Sequence, residues 1–247
     1  MILLAGIVLH AMLIAAPQKP IIEFRVTNAY VTYEAHETNL GSELKTVIGR
    51  NKDLSIEMLA SPENVAAKLL ISSSGFKTDR PMRDWSVKTL YLKSGTYPEI
   101  TFDILKIDGE PLSKVLHPVN KSLVIKTALK NMIVDIIVPT KENTPLLLQA
   151  GGEKLLVEGK LRDDILNAIN SDKGEIHLTG RLTVAGGSKD FDTAVSFNKI
   201  GDNKFAISTI IDAKFTDFGM SAPNLAWFIA VRNRLILNGY GVVEVLK

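Results

Sequence analysis

The chain contains no cysteine, which removes disulfides, thiolate metal sites, iron–sulfur clusters and thiol nucleophiles together. It also lacks an excess of one charge. Twenty-nine Lys and Arg stand against 27 Asp and Glu, a net +2 with the signs mixed along the sequence. No basic field is available to hold a polyanion, so nucleic acid is not an expected partner. The four histidines, His10, His36, His117 and His177, never fall two or four residues apart, and a zinc motif needs two nitrogens on one face. No metal site is expected. Neither a Gly-x-Ser-x-Gly elbow nor a phosphate-binding glycine loop occurs, and Gly239-Tyr240-Gly241 lies in a strand-like stretch without the helix that a nucleotide site requires. The adjacent acids Asp163 and Asp164 would point in different directions on a helix and suit its N-terminus rather than an acid–base pair. The expectation is a protein without catalytic residues and without a cofactor.

What is present is a foldable composition. Hydrophobic residues make up 46% and charged residues 23% of the 247 positions, well outside the disordered regime. The length fits one large β domain or two small ones. Residues 1–16 are apolar except for His10 and give way abruptly to Pro17-Gln18-Lys19-Pro20. A bilayer-spanning helix needs about 20 apolar residues, so this shorter run reads as a secretory signal and implies an exported protein, periplasmic or secreted. Its start carries no Lys or Arg, and cleavage after Ala15 or Ala16 would put Leu13 or Ile14 at the −3 position. An uncleaved tether and a buried first strand or helix are the alternatives. The expected organisation is a signal over 1–16 and one barrel domain over 21–247.

Alternation dominates the rest, the period of a strand whose two faces meet different surroundings. Phe191, Thr193, Val195 and Phe197 share one face. Phe205, Ile207, Thr209, Ile211, Ala213 and Phe215 share another, and Gly201-Asp202-Asn203 between them favours a tight reversal. Further strands are expected at 24–33, 54–59, 65–72, 87–92, 99–107, 123–138, 155–161, 175–184 and 235–246. Many strands joined by short turns point to an all-β, antiparallel sandwich or closed barrel. Gly239 and Gly241 in the last strand suit a bend or bulge. One or two short helices are expected: 161–169, with Leu161, Ile165 and Ile169 at fourfold spacing, and 222–231, with Pro223 near its first turn.

Two stretches carry a resemblance. Phe76-Lys77-Thr78-Asp79-Arg80-Pro81-Met82-Arg83-Asp84 is followed after a further segment by Tyr97-Pro98-Glu99-Ile100-Thr101-Phe102. Gly180-Arg181-Leu182-Thr183-Val184-Ala185-Gly186-Gly187 is followed by the hairpin and by Phe215-Thr216-Asp217-Phe218-Gly219. In order and spacing these are similar to the YceI-like, polyisoprenoid-binding family. The match covers most of 22–112 and 175–247. Trp85-Ser86 stands where that family usually has His-Leu, and 113–173 reads as an insertion.

The resemblance implies an all-β, antiparallel lipocalin-like β-barrel with an elongated cavity for an isoprenoid, an isoprenoid-quinone-like molecule or another long apolar chain. Residues expected at the ligand are Phe76, Arg83, Leu90, Phe102, Phe197, Phe205, Ile207, Phe215, Phe218 and Leu237. A long apolar chain gains about 0.8 kcal/mol per buried methylene and needs no ionic anchor. Arg83-Asp84 has two readings: a tie that fixes a loop to the barrel, which is preferred, or an Arg83 guanidinium that meets a phosphate or quinone oxygen. Transient membrane contact and a homodimer are the other interactions considered. The rival function is an envelope interaction or stress-related scaffold with a packed interior that binds a partner through the insertion.

Overall fold

The computed structural model describes residues 21–39, 42–130, 132–139, 144–226 and 229–246. The expected signal over 1–16 lies outside the described residues. The alternating N-terminal segment forms a long strand β1 (Ile21–Asn39), followed by β2 (Ser42–Asn51), β3 (Leu54–Ala60) and β4 (Val65–Ser72). A short helix α1 (Pro81–Ser86) runs directly into wider π-type turns at Val87–Tyr91. Then come β5 (Glu99–Ile107), β6 (Glu110–Pro111), α2 (Leu112–Val115), β7 (Leu116–Pro118), β8 (Leu123–Ala128), β9 (Ile133–Ile137), β10 (Leu146–Ala150), β11 (Glu153–Val157) and α3 (Gly159–Asn170). The chain ends with β12 (Lys173–Val184), β13 (Gly187–Gly201), β14 (Lys204–Ala213), a 3-10 turn (Phe215–Phe218), β15 (Asn224–Ala226), β16 (Ile229–Val231) and β17 (Leu235–Val245).

These strands pair antiparallel and close into a barrel. Along one direction β1 pairs with β17, and β14, β13, β12, β5, β4 and β3 follow in turn. The other edge of β1 is shared. Its Val31–Asn39 half pairs with β2, while Ile21–Arg25 pairs with β9. Because β8 pairs with β3 and β9 with β1, the chain between them crosses the seam and closes that half of the wall. The segment 113–173 is therefore woven into the barrel: β10 pairs with β9 and β11, and β11 pairs with β7.

The buried apolar residues of the interior form two clusters. One surrounds Val31, Tyr33, Phe76, Phe102, Leu182, Ile211, Phe215 and Leu235. The other is formed by Leu112, Val115, Leu116, Ile136, Leu146, Val157 and Leu161, with Leu146 and Val157 wholly buried. Ile104 and Leu178 touch both.

The all-β antiparallel barrel and the 191–198/205–215 hairpin match expectation, with Val195 opposite Thr209 and Phe197 opposite Ile207. Several local expectations are corrected. Residues 87–92 are helical turns rather than a strand, because Pro81 starts a helix and Arg83, Val87 and Tyr91 then fall at the fourfold spacing of one face; so short a window fits both periods. The 123–138 strand is two, broken where the chain changes partner from β3 to β1. The 155–161 strand stops at Val157, since Gly159, at φ 61°, starts α3 and Leu161 belongs to that helix. Instead of a helix at 222–231, the strands β15 and β16 pair with each other, and β16 also pairs with Glu37–Asn39 of β1; Trp227 and Phe228 lie outside the described residues. β17 itself stays in register through Gly239 and Gly241, and the irregularity sits on its partner, between Val26 and Asn28 beside Gly241.

Candidate functional site

Inward-pointing residues of ten strands leave an interior cavity of about 690 Å³ at the end of the barrel covered by α1, a size typical of pockets that enclose a small molecule. Its wall is built by the period-two rule. β1 contributes Val31, Tyr33 and Ala35; β4 contributes Leu69 and Ile71; β5 contributes Ile100 and Phe102; β12 contributes Leu182 and Val184; β14 contributes Ile207, Thr209 and Ile211; and β17 contributes Leu237 and Gly239. The floor is formed by Met58, Ile104 and Leu178, which adjoin the second packed region. Arg83, Ser86, Val87 and Tyr91 of the α1 segment form the roof. Met82 and Arg80 both line the cavity and lie exposed, so the mouth is beside α1.

Two glycines let aromatic rings lie flat on the inner wall. Tyr33 stands directly opposite Gly49 in the β1–β2 pairing, and a Cβ on Gly49 would meet the Tyr33 Cε1 at 2.1 Å. A Cβ on Gly180 would meet the Phe102 Cζ at 2.2 Å. Tyr33 also packs on Phe76, with ring centroids 5.4 Å apart.

On the wall, Lys68 pairs with Asp103 at 3.3 Å and the Thr193 and Thr209 hydroxyls lie 2.9 Å apart; a further polar group lies at the roof. Asp84 accepts hydrogen bonds from the Thr78 backbone N–H and the Thr78 hydroxyl, both at 2.7 Å, which ties the loop before α1 to the helix. Arg83, only 11% exposed, contacts Glu37 at 3.5 Å and also bonds to Asp79. Its charge is therefore matched by two carboxylates. Burial would raise the Asp79 carboxyl, but the charges of Arg83 and Lys45 and hydrogen bonds to Arg83 and its own backbone outweigh that and hold it below its ordinary value. The Tyr33 hydroxyl is buried and has no hydrogen-bond partner among the described residues. Burial pushes its pKa well above the ordinary phenol range, with Arg83 opposing and Asp84, Glu37 and Asp79 adding to the rise.

Of the residues expected at a ligand, Phe76, Arg83, Phe102, Ile207, Phe215 and Leu237 are brought together on this cavity. Phe197 packs into the second region. Phe205 is half-buried near the hairpin tip, opposite Lys199. Phe218 is buried behind the wall against Phe191, with ring centroids 6.2 Å apart, and Leu90 is 52% exposed on the far side of the α1 segment. Sequence reasoning missed Tyr33, Glu37 and Asp79. The signal for the first two was the run Val31, Tyr33, Ala35, Glu37 on one face, whose final charge marks where the inner wall reaches the polar rim.

Among the described residues no cluster of three or more His, Asp or Glu could hold a metal ion, and no helix is long and apolar enough to cross a membrane.

The model of the YceI-like domain matches residues 24–238, nearly the whole barrel. The chain belongs to the YceI-like family. Similar solved structures include a polyisoprenoid binding domain from Saccharophagus degradans implicated in plant cell wall breakdown, at 12% identity and TM-score 0.49, covering 90% of this chain and 98% of that one. Others are Burkholderia cenocepacia BcnA (13%, TM-score 0.45, 87% and 95%) and Campylobacter jejuni YCEI (17%, TM-score 0.44, 85% and 94%). No curated protein matches the sequence. For a YceI-like chain, the cavity at the α1 end is the feature to which a function must be fitted.

Proposed function

We propose that this protein is an exported carrier or reservoir that encloses an isoprenoid or isoprenoid-quinone-like chain in its barrel and performs no covalent chemistry on it. The observation that carries the reading is the cavity of about 690 Å³, whose strand-borne walls are apolar apart from Lys68, paired with Asp103, and the mutually bonded hydroxyls of Thr193 and Thr209, while Glu37, Arg83 and the Tyr33 hydroxyl sit together under α1. An apolar chain that leaves water for such a wall gains about 25 cal/mol per Å² of buried apolar surface. The chain would enter tail first, towards Met58 and Leu178, and leave its head below Arg83. That head is proposed to be a neutral oxygen, because Glu37 and Asp79 already compensate Arg83 and Tyr33 offers an unpaired hydroxyl.

The rival scaffold reading requires a packed interior, and only the half built around Leu146 and Val157 is packed in that way. Membership of the YceI-like family supports the carrier reading. Export is proposed from the apolar run at 1–16, and fractionation of the native host tests it.

Native mass spectrometry of protein purified from its host, followed by organic extraction, tests the function. A stoichiometric polyprenyl or quinone species is expected. A stable, empty protein that also fails to take up added isoprenoids would overturn the proposal.

A further inference from the structure

The α1 segment has two apolar sides. One lines the cavity through Val87 and Tyr91. The other faces solvent with Trp85 and Leu90, 55% and 52% exposed, and Met82, 77% exposed, stands at the mouth between the two sides, a grouping rare on a water-exposed helix. The wider turns, in which the Leu92 N–H donates to the Val87 carbonyl at 2.8 Å, put Val87 and Tyr91 inside and leave Lys88 and Leu90 outside. Other exposed large apolar residues, such as Ile48, Val124 and Ile210, sit on separate strands, and single exposures of that kind are ordinary. Here three fall within residues 82–90, at the cavity mouth.

Charge says what covers this patch. Lys77, Arg80, Lys88 and Lys93 are exposed on the same segment, and Lys88 and Lys93 take part in none of the ion pairs of the described residues. The nearby acids are engaged, Asp79 by Arg83, Arg80 and Lys45 and Asp84 by Thr78. A second copy docked two-fold through this same face would set one lysine-bearing segment against another, where like charges oppose it. An anionic bilayer meets both features: indole and aliphatic side chains settle at the acyl boundary while lysines reach the lipid phosphates.

We infer that the outer face of residues 77–93 docks the mouth of the barrel on an anionic lipid bilayer. Its use for ligand exchange rests on the carrier function, since an apolar chain could then pass from bilayer to cavity without crossing water. The docking itself does not.

The test uses the Trp227→Phe protein, in which Trp85 is the sole tryptophan. It is mixed at low ionic strength with phosphatidylcholine vesicles, with or without phosphatidylglycerol. Anionic vesicles are expected to shift Trp85 emission to shorter wavelength and to sediment the protein, and added salt reverses both. Lys88→Glu combined with Lys93→Glu is expected to weaken vesicle binding at least about tenfold, and Trp85→Ala is expected to weaken sedimentation. No shift and no sedimentation with anionic vesicles would overturn the inference. So would unchanged binding of the charge-reversed protein, or a shift without lipid that grows with protein concentration, the sign of self-association. Loading of a fluorescent isoprenoid from cyclodextrin is followed in parallel. Vesicle binding without loading from either source would sink the carrier function and leave the docking face standing.

Discussion

Tyr33 combines two demands that work against each other. Its ring is held flat by Gly49 and Phe76, yet this places a hydroxyl where it is buried and unpaired. An unsatisfied buried polar group costs about 1–3 kcal/mol. Tyr33→Phe keeps the ring and deletes that group, so the unloaded protein should be at least as stable in thermal unfolding. Affinity for an isoprenoid with an oxygen head should fall while affinity for a plain hydrocarbon of similar length stays the same. A clear loss of stability instead would mean that the hydroxyl is satisfied in solution. Gly49→Ala tests the other demand, because its Cβ would lie 2.1 Å from the Tyr33 ring. It should destabilise by about 1–3 kcal/mol through overpacking. In the Tyr33→Ala background the same change should cost much less, and equal denaturant midpoint shifts in the two backgrounds would refute the contact.

Elements are held to the barrel by polar ties whose pH dependence follows from their geometry. Asp108 lies in the turn after β5, its side chain only 3% exposed, and bonds to Lys160 at 2.9 Å. Lys160 also reaches Asp164 at 2.9 Å and so anchors α3. Burial alone would raise the Asp108 carboxyl, but Lys160, Asp164 and the His177 N–H outweigh it and leave it lowered, while Lys160 is raised by its bonds to the two acids. A carboxyl lowered in the folded state stabilises above its unfolded value of about 4, and that contribution is lost as pH falls through the folded value. The raised Lys160 contributes at neutral pH and loses its effect only as alkali takes it through its folded value. Lys160→Met leaves two acids facing each other, one of them buried. Its denaturant midpoint should drop at pH 7, and the gap from the natural protein should narrow as acid protonates the pair. A gap that is constant with pH would exclude this tie. Elements also differ in how visible they are in sequence. The β13–β14 hairpin is plain because alternation continues on both sides of a Gly-Asp-Asn turn. β2 is hidden because its inward position 49 is a glycine and its outward Ile48 is 53% exposed, the reverse of the usual pattern. The 222–231 region is apolar with a proline that suits a helix start, yet pairing with β1 overrides local propensity. Within the site, the aliphatic wall and the place of Glu37 at its end could be read from alternation, and Asp79 and Arg83 stand at fourfold spacing, whereas the meeting of Arg83 with Glu37 depends on α1 folding over β1 and is not written in either segment alone.

At the scale of the molecule, the barrel joins one half that is filled to one that is hollow. In the filled half Leu146 has no solvent exposure and is surrounded by neighbours from β7 to α3. Leu146→Ala should therefore cost about 2–5 kcal/mol, the range for a buried leucine that leaves a cavity. Uptake of an isoprenoid by the folded protein should be unaffected. Leu237 instead borders the empty volume, so Leu237→Ala removes fewer packed contacts and should cost less stability, but it enlarges the wall facing the ligand and should weaken uptake. Hydrogen exchange would resolve the two halves in one experiment. Loading adds contacts only where the cavity lies, so amides of β14 and β17 should exchange more slowly in the loaded protein, while those of β10 and β11 should keep their rates as long as they open without global unfolding. Equal slowing in both halves would mean that the barrel opens as one unit, and that the seam formed by β8 and β9 transmits ligand binding across its length.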